Sequence, residues 1–308
     1  MIDLIIPYYN NRIGLLNTLK SINTDIFKVT IIDDHSTETP IIDNSVAQVF
    51  RYNINCGPGY ARQLGINKTS NPYIMFIDTG DEFTSQQVQL EIPYIINKYC
   101  NSDMIVWSYI HEDKVTNFLD NRLHGKLYKR KFLTEKGIIF CPNSSYMDED
   151  IGFNRACRLL TNNKIAFVDK PLIRQIKEEN SLTQKDNKAA LYRDQTRALA
   201  LVSIHTIDLC EKNNIDPNIE INQIAIALYY WFIRTSAERQ EYINDAWNGA
   251  RIFYNKYAER IIPNNLLLGN PKLKQCLEYR DKISFPINIL RFANDIQKFK
   301  NLPDNYLT

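Results

Sequence analysis

The chain has 308 residues, 44% of them hydrophobic and 23% charged, an ordinary globular composition that fits one large domain or two smaller ones. Its 37 basic and 35 acidic side chains leave a formal charge of +2, too balanced for the strong field of a dedicated nucleic-acid or anionic-membrane binder. The six cysteines form no CxxC pair, which argues against a zinc knuckle or redox motif and for free thiols in a reducing compartment. Residues 1–7 lack the pattern of a signal peptide, and no apolar run reaches bilayer length, so no transmembrane segment and a cytoplasmic location are expected.

Asp3 to Pro7 is an apolar run stopped by proline, the pattern of a buried parallel strand. Asn11 to Ile22 follows with apolar residues at helical spacing. Val29 to Ile32 and Val46 to Phe50 read as further strands, Pro58 to Ile66 as a helix with proline in its first turn, and Tyr73 to Ile77 as a fourth strand. This alternation predicts a βαβ sheet covered on both faces. Asp103 to Tyr109 reads as a strand, Lys126 to Lys136 as a basic helix, Gly137 to Phe140 as a short strand, and Met147 to Leu160 as a helix opened by Asp148, Glu149 and Asp150. Beyond about Ser181 the period becomes helical throughout, over Ala189–Cys210, Ile219–Ala237 and Glu241–Tyr257.

Polar residues gather where the strands end: Tyr8-Tyr9-Asn10, Asp33-Asp34-His35-Ser36, Asn53-Ile54-Asn55 and Asp78-Thr79-Gly80-Asp81. Open α/β sheets bind ligands beyond the carboxyl ends of their strands. Loop and cap preferences explain any one of these stretches, but explain the ordered set less well. Asp78, Asp81 and Glu82 put three carboxylates within five residues, a costly arrangement unless a cation sits among them.

These motifs resemble a family 2 glycosyltransferase with the GT-A fold, over roughly Met1 to Gln184. The resemblance rests on IIPYYN, IIDDHSTE, NCGPGYARQLG, FIDTGDE, then GKLYKRKFLTEKGIIF followed by YMDEDIGF, and RQIKEENSLT, in that order. It implies an α/β fold with a Rossmann-like mixed sheet in a catalytic domain over residues 1–184. A mostly helical region follows over 185–308, serving acceptor binding or oligomerisation. It also implies a nucleotide-sugar donor, usually a UDP-sugar, Mn2+ or Mg2+, and transfer with inversion. The chemistry agrees with that pattern. A nucleoside diphosphate leaves easily only when its charge is neutralised, a task for a hard divalent cation. Direct displacement then needs one separate base for the acceptor's proton.

By the same resemblance, Asp81 is the first metal ligand and Asp78 either a second ligand or a contact to the donor's ribose or sugar. Gly80 stands where the family often has an acid. Asp33 and Asp34 fall at the nucleobase, with His35 in place of the usual glycine. Pro7, Tyr8 and Asn10 line the base and ribose pocket, and Asn55 and Gly57 lie beside the donor. Arg62 sits where the family has an arginine near the donor, suited to phosphate oxygens. Asp150 is the general base and Glu149 its orienting partner or an acceptor contact, with Asp148 the competing base. Lys126, Lys129, Arg130 and Lys131 form either an acceptor-side basic patch or a solvated helix face. His111, His124 and His205 are each plausible third metal ligands, but none has a ligand-like spacing, and a satisfied or exposed histidine is the favoured reading for all three. The acceptor is a glycan or a lipid-linked sugar by analogy, with a modified DNA base less favoured by the weak net charge. Two other readings compete. One is a non-catalytic nucleotide-sugar or carbohydrate-binding protein, for which Gly80 speaks. The other is a nucleotidyltransferase, for which residues 7–14 lack the Gly-rich basic loop.

Overall fold

A computed structural model describes residues 1–116, 122–144, 147–176 and 188–261, the last stretch with side chains from Tyr192 onward. Past Ile176 the stretch RQIKEENSLT falls outside the described residues, as does the expected boundary at Gln184. The chain divides into two compact units, Met1–Ser181 and Leu182–Thr308.

In chain order the first unit contains β1 (Ile2–Tyr8), α1 (Arg12–Ser21), β2 (Phe27–Asp33), β3 (Ala47–Arg51), α2 (Pro58–Lys68) and β4 (Tyr73–Phe76). Then come β5 (Glu82–Phe83), α3 (Gln86–Leu90), α4 (Ile92–Lys98), β6 (Met104–His111) and β7 (Lys114–Thr116). It closes with β8 (Lys126–Lys129), α5 (Arg130–Lys136), α6 (Glu149–Leu160) and β9 (Ile165–Arg174). The sheet runs β3-β2-β1-β4-β8-β6-β9-β5, with β7 on β6. β1, β2, β3 and β4 pair in parallel, whereas β8 is antiparallel to both β4 and β6.

The parallel half forms for the reason its sequence suggests. All seven residues of β1 are buried, so the strand needs apolar residues on both faces. On one face Leu4, Ile6, Ile31 and Met75 join one core cluster. On the other, α2 lies close against the sheet at Gly65, where a Cβ would stand 2.3 Å from Ile5 Cγ2. An aromatic group supports α6. Phe140 and Phe153 stack with centroids 4.2 Å apart, and Phe76 and Tyr128 meet Phe153 edge-on.

Two expectations fail on the antiparallel side. Lys126 to Lys129 is a strand, because it pairs with β4 and β6 at once and its residues are mostly buried. Only from Arg130 does the helix begin. Gly137 to Phe140 forms no strand. Gly137 closes α5 in the left-handed conformation, and Ile138 and Phe140 are apolar because they are buried, not because they join a ladder. The anticipated basic patch is also dispersed. Lys126 is buried, Lys131 pairs with Glu135, and Arg130 donates to Asn71 O, Ile66 O, Thr69 Oγ1 and the buried carboxylate of Asp3.

The second unit holds α7 (Lys188–Lys212), α8 (Asn218–Glu238) and α9 (Ile243–Tyr257), close to the three helical periods of the sequence. They share a core that includes Ile221, Leu228, Phe232, Trp247 and Phe253. Among the described residues no helix is long and apolar enough to cross a membrane.

Candidate active site

The loops beyond β1 and β2 are tied to one another before any ligand is considered. Asn10, at φ 50, donates its N–H to Ser36 Oγ and accepts at Oδ1 from Thr37 N–H and Oγ1. Asp33 is fully buried, accepting from Ser36 N–H at 2.9 Å and from Arg51 at 3.1 Å. Asp34 accepts one bond on each carboxylate oxygen, from the N–H groups of Cys56 and Gly57, both at 2.7 Å. Asn55 donates to the Asp34 carbonyl. Asp33 and Asp34 therefore fix the loop that leads into α2. Burial holds the Asp34 carboxyl above its ordinary pKa despite those two amide donors. Tyr8 is buried beside them.

Beyond β4, Asp78 to Asp81 form a turn closed by Asp81 N–H to Asp78 O at 3.0 Å. Gly80 has φ 103 and its N–H donates to Thr18 Oγ1. An acid at this position would be forced into a conformation that side chains disfavour. The turn brings Asp78 and Asp81 together with His124, and one ligand atom from each lies within 4.8 Å of the others. Asp81 is buried, with Oδ2 2.8 Å from His124 Nε2 and Oδ1 accepting from Ile176 N–H at 3.0 Å. His124 stacks on Tyr109 with centroids 5.1 Å apart. Burial lowers the imidazole's pKa, but the Asp81 contact outweighs it and the net shift is upward. The Asp78 carboxylate is 40% exposed. Burial raises its pKa, yet Arg62 and His124 prevail and hold it below the usual value. The two carboxylates are the hard oxygen donors that Mn2+ and Mg2+ take, and the added imidazole favours Mn2+ of the two.

Arg62 reaches up from α2, with its side chain 5% exposed. One terminal nitrogen donates to Asp78 Oδ1 at 2.6 Å and the other to Glu149 Oε1 at 2.8 Å. Glu149 and Asp150 open α6, where backbone N–H groups point outward and favour negative charge. The preceding Asp148 lies at φ 58 without a side-chain capping bond. Glu149 is buried, whereas Asp150 is half-buried and accepts from its neighbour's N–H, Ile151, at 2.8 Å. Burial raises both carboxyls, and the single guanidinium they share with Asp78 only partly offsets it. A carboxylate with a raised pKa is a better proton acceptor near neutral pH.

Residues 3–153 match the family model described as Glycosyl transferase family 2. The first unit belongs to this family. An uncharacterized glycosyltransferase of Rickettsia conorii is 30% identical over 102 residues, 30% of this chain and 17% of that protein. The chain thus spans less than a fifth of the length of that relative. The putative teichuronic acid biosynthesis glycosyltransferase TuaG of Bacillus subtilis is 20% identical over 274 residues, 85% of this chain and 98% of that one. Among solved structures, residues 1–349 of Staphylococcus aureus TarS in complex with UDP superpose with a TM-score of 0.63 at 15% identity, over 96% of this chain and 90% of that one. The mannosyltransferase PcManGT of Pyrobaculum calidifontis, solved with GDP-Man and Mn2+, gives a TM-score of 0.51 at 12% identity, over 97% of this chain and 87% of that one. At these identities the superpositions establish the fold, an α/β fold of the GT-A glycosyltransferase type.

In this glycosyltransferase domain Asp78, Asp81, Arg62 and Glu149 form one chain of polar contacts. Asn10, Asp33, Asp34, Asn55 and Gly57 form a second group that braces the loops after β1 and β2. Of the three histidines weighed as a third ligand, His124 is the one that joins the two aspartates. It meets Asp81 across 43 positions, so no local spacing could reveal it. The only hint was its place just before the basic stretch that becomes β8. His111 ends β6 and His205 lies in the second unit, and neither belongs to the described cluster.

Proposed function

We propose that the first unit transfers a sugar from a nucleotide-sugar donor, a UDP-sugar in the simplest case, to an acceptor hydroxyl by direct displacement with inversion. The observation that carries this reading is the spatial plan. A cation-binding trio (Asp78, Asp81, His124) and a separate carboxylate pair (Glu149, Asp150) share one buried arginine. A divalent ion bound by the trio supplies charge neutralisation for the departing diphosphate. A cation would replace the proton shared by Asp81 Oδ2 and His124 Nε2, while the Ile176 N–H on Asp81 Oδ1 would keep that carboxylate in place. Asp150, the more open of the two acids on α6, takes the acceptor proton, and Glu149 stays fixed by Arg62. Pro7, Tyr8, Asn10 and the loop before α2 that Asp34 holds at Cys56 and Gly57 form the wall for nucleobase and ribose.

The comparisons support this reading. TarS has been solved with UDP and with UDP-GlcNAc, and PcManGT with GDP-Man and Mn2+. TuaG is named for teichuronic acid biosynthesis, and a Staphylococcus epidermidis relative, 27% identical over 117 residues, is a teichoic acid poly(glycerol phosphate) polymerase. A growing glycan or lipid-linked polymer is accordingly the preferred acceptor, with the helical second unit serving acceptor binding or oligomerisation. The reading carries with it a cytoplasmic location. The test is a thermal-shift panel of sugar nucleotides with Mn2+, followed by donor hydrolysis, since a ligand of the native state raises its melting temperature. A panel in which no sugar nucleotide is bound or hydrolysed refutes the proposal.

A further inference from the structure

We infer that Arg62 is a positioning residue that couples the metal-side carboxylate Asp78 to the acceptor-side helix α6, rather than a ligand of the donor's phosphates. The inference rests on the functional reading above, and it assigns a task to a residue which sequence alone places at the donor. Three observations carry it. Both terminal nitrogens are already engaged, on Asp78 at 2.6 Å and on Glu149 at 2.8 Å. The side chain is 5% exposed, and its Nε is buried with no acceptor among the described residues, so no part of the fork is offered to open solvent. The two partners lie on different elements, Asp78 in the turn after β4 and Glu149 in the first turn of α6.

The rest of α2 repeats the same bridging. Gln63 Oε1 accepts from Phe140 N–H, and Tyr60 donates its hydroxyl proton to Pro142 O, so one face of the helix holds the segment that leads toward α6. Gly65 allows α2 to lie directly on the sheet at Ile5. Arg62 thus rises from a rigid support and ties the two halves of the site with charge-assisted bonds, the strongest kind available to an arginine.

This arrangement makes a specific linkage. Asp78 serves both Arg62 and the cation. When Glu149 loses its charge, Arg62 is less compensated and holds Asp78 more firmly, so the cation loses ground. Residues in one such network couple measurably, whereas independent sites simply add. The experiment measures the Kd of Mn2+–UDP by titration calorimetry for wild type, Glu149→Gln, Arg62→Lys and the double variant. Lysine keeps the charge but cannot span two carboxylates. Glu149→Gln in the wild-type background weakens Mn2+–UDP about fivefold or more, and in the Arg62→Lys background it changes the Kd less than about twofold. An unchanged Kd for Glu149→Gln in the wild-type background, or the same loss in both backgrounds, overturns the inference. A second arm needs no ligand. Arg62→Met strands two carboxylates and lowers the melting temperature of the metal-free protein, and adding Glu149→Gln recovers part of that loss. If wild type binds no Mn2+–UDP, the functional reading falls while this arm still decides the bridge. Failure of Glu149→Gln to recover any of the loss refutes it.

Discussion

Asp81→Asn separates the metal reading from a merely structural one. The substitution keeps shape and removes charge. Oδ1 of Asp81 accepts from Ile176 N–H at 3.0 Å, so the asparagine oxygen stays there and its NH2 faces His124 Nε2, where the contact is now 2.8 Å. The imidazole then sheds its proton and accepts from the amide. Both hydrogen bonds survive without the ion pair, and the metal-free protein loses only about 1–2 kcal/mol. The cation site fares worse. Removing even an outer partner of a metal ligand costs about 10- to 100-fold in affinity, so loss of an anionic ligand costs at least about 100-fold. At a ligand concentration of about 100 times the wild-type Kd, binding stabilises wild type by about 2.7 kcal/mol and the variant by about 0.4. For a unit the size of Met1–Ser181 this corresponds to melting shifts of about 5–10 °C and about 1–2 °C. Differential scanning fluorimetry with and without Mn2+–UDP reads both. A variant that keeps the wild-type ligand shift refutes the assignment of Asp81 to the cation.

Asp150→Asn is expected to leave Mn2+–UDP affinity within about twofold and to lower transfer by roughly 10²–10⁴, the usual worth of a general base, in a single-turnover assay. Wild-type turnover moves the base to Asp148 or Glu149. Arg130→Ala cuts the bonds to Asn71 O, Ile66 O, Thr69 Oγ1 and Asp3. Because the buried Asp3 keeps two bonds from Asn71, the loss is about 2–3 kcal/mol, seen as a lower urea midpoint at unchanged slope. A midpoint equal to wild type refutes the knot. The raised pKa of His124 gives a pH signature in the metal-free protein. Stability from the folded-state rise is fully present below the ordinary value of 6.5 and is lost as pH climbs through the raised one. The stability gap between wild type and His124→Gln in EDTA therefore shrinks from about pH 6.5 upward, and a gap flat to pH 9 counts against the Asp81 ion pair.

The central parallel strands were legible because they are buried on both faces over most of their length, so Leu4 to Pro7 and Val29 to Ile32 read as short, mostly apolar runs. The antiparallel half hides. β5 has two residues, β9 mixes buried and exposed positions with Pro171 inside it, and β8 carries lysines at both ends. A lysine signals a helix face or solvent by composition, yet Lys126 is buried and held by the Arg122 carbonyl. The site divides in the same way. Asp78, Asp81, Glu149 and Asp150 stand in local motifs that a reader can find. Their partners Arg62 and His124 reach them from 16, 87 and 43 positions away, distances that only the fold closes. Gly80 shows the converse. In sequence it looks like a lost acid, and in the structure its φ of 103 explains why a glycine stands there.

Burial and neighbouring charge together explain the direction of the pKa shifts in the site. Asp78, Asp81, Glu149 and Asp150 gather around the Arg62 guanidinium and the His124 imidazole, with Lys126 near enough to act on His124. Burial is the largest cause that pushes Asp81, Glu149 and Asp150 up, and the Asp81 contact raises His124 against its own burial. Asp78, which alone touches Arg62 while remaining open to solvent, is the acid pushed down. A purely structural cluster would be expected to balance itself, since buried like charges cost stability without return. Four acids kept together at that cost, with Asp78 partly open to solvent and held below the usual carboxylate range, support the proposed role of Asp78 and Asp81 in receiving a cation.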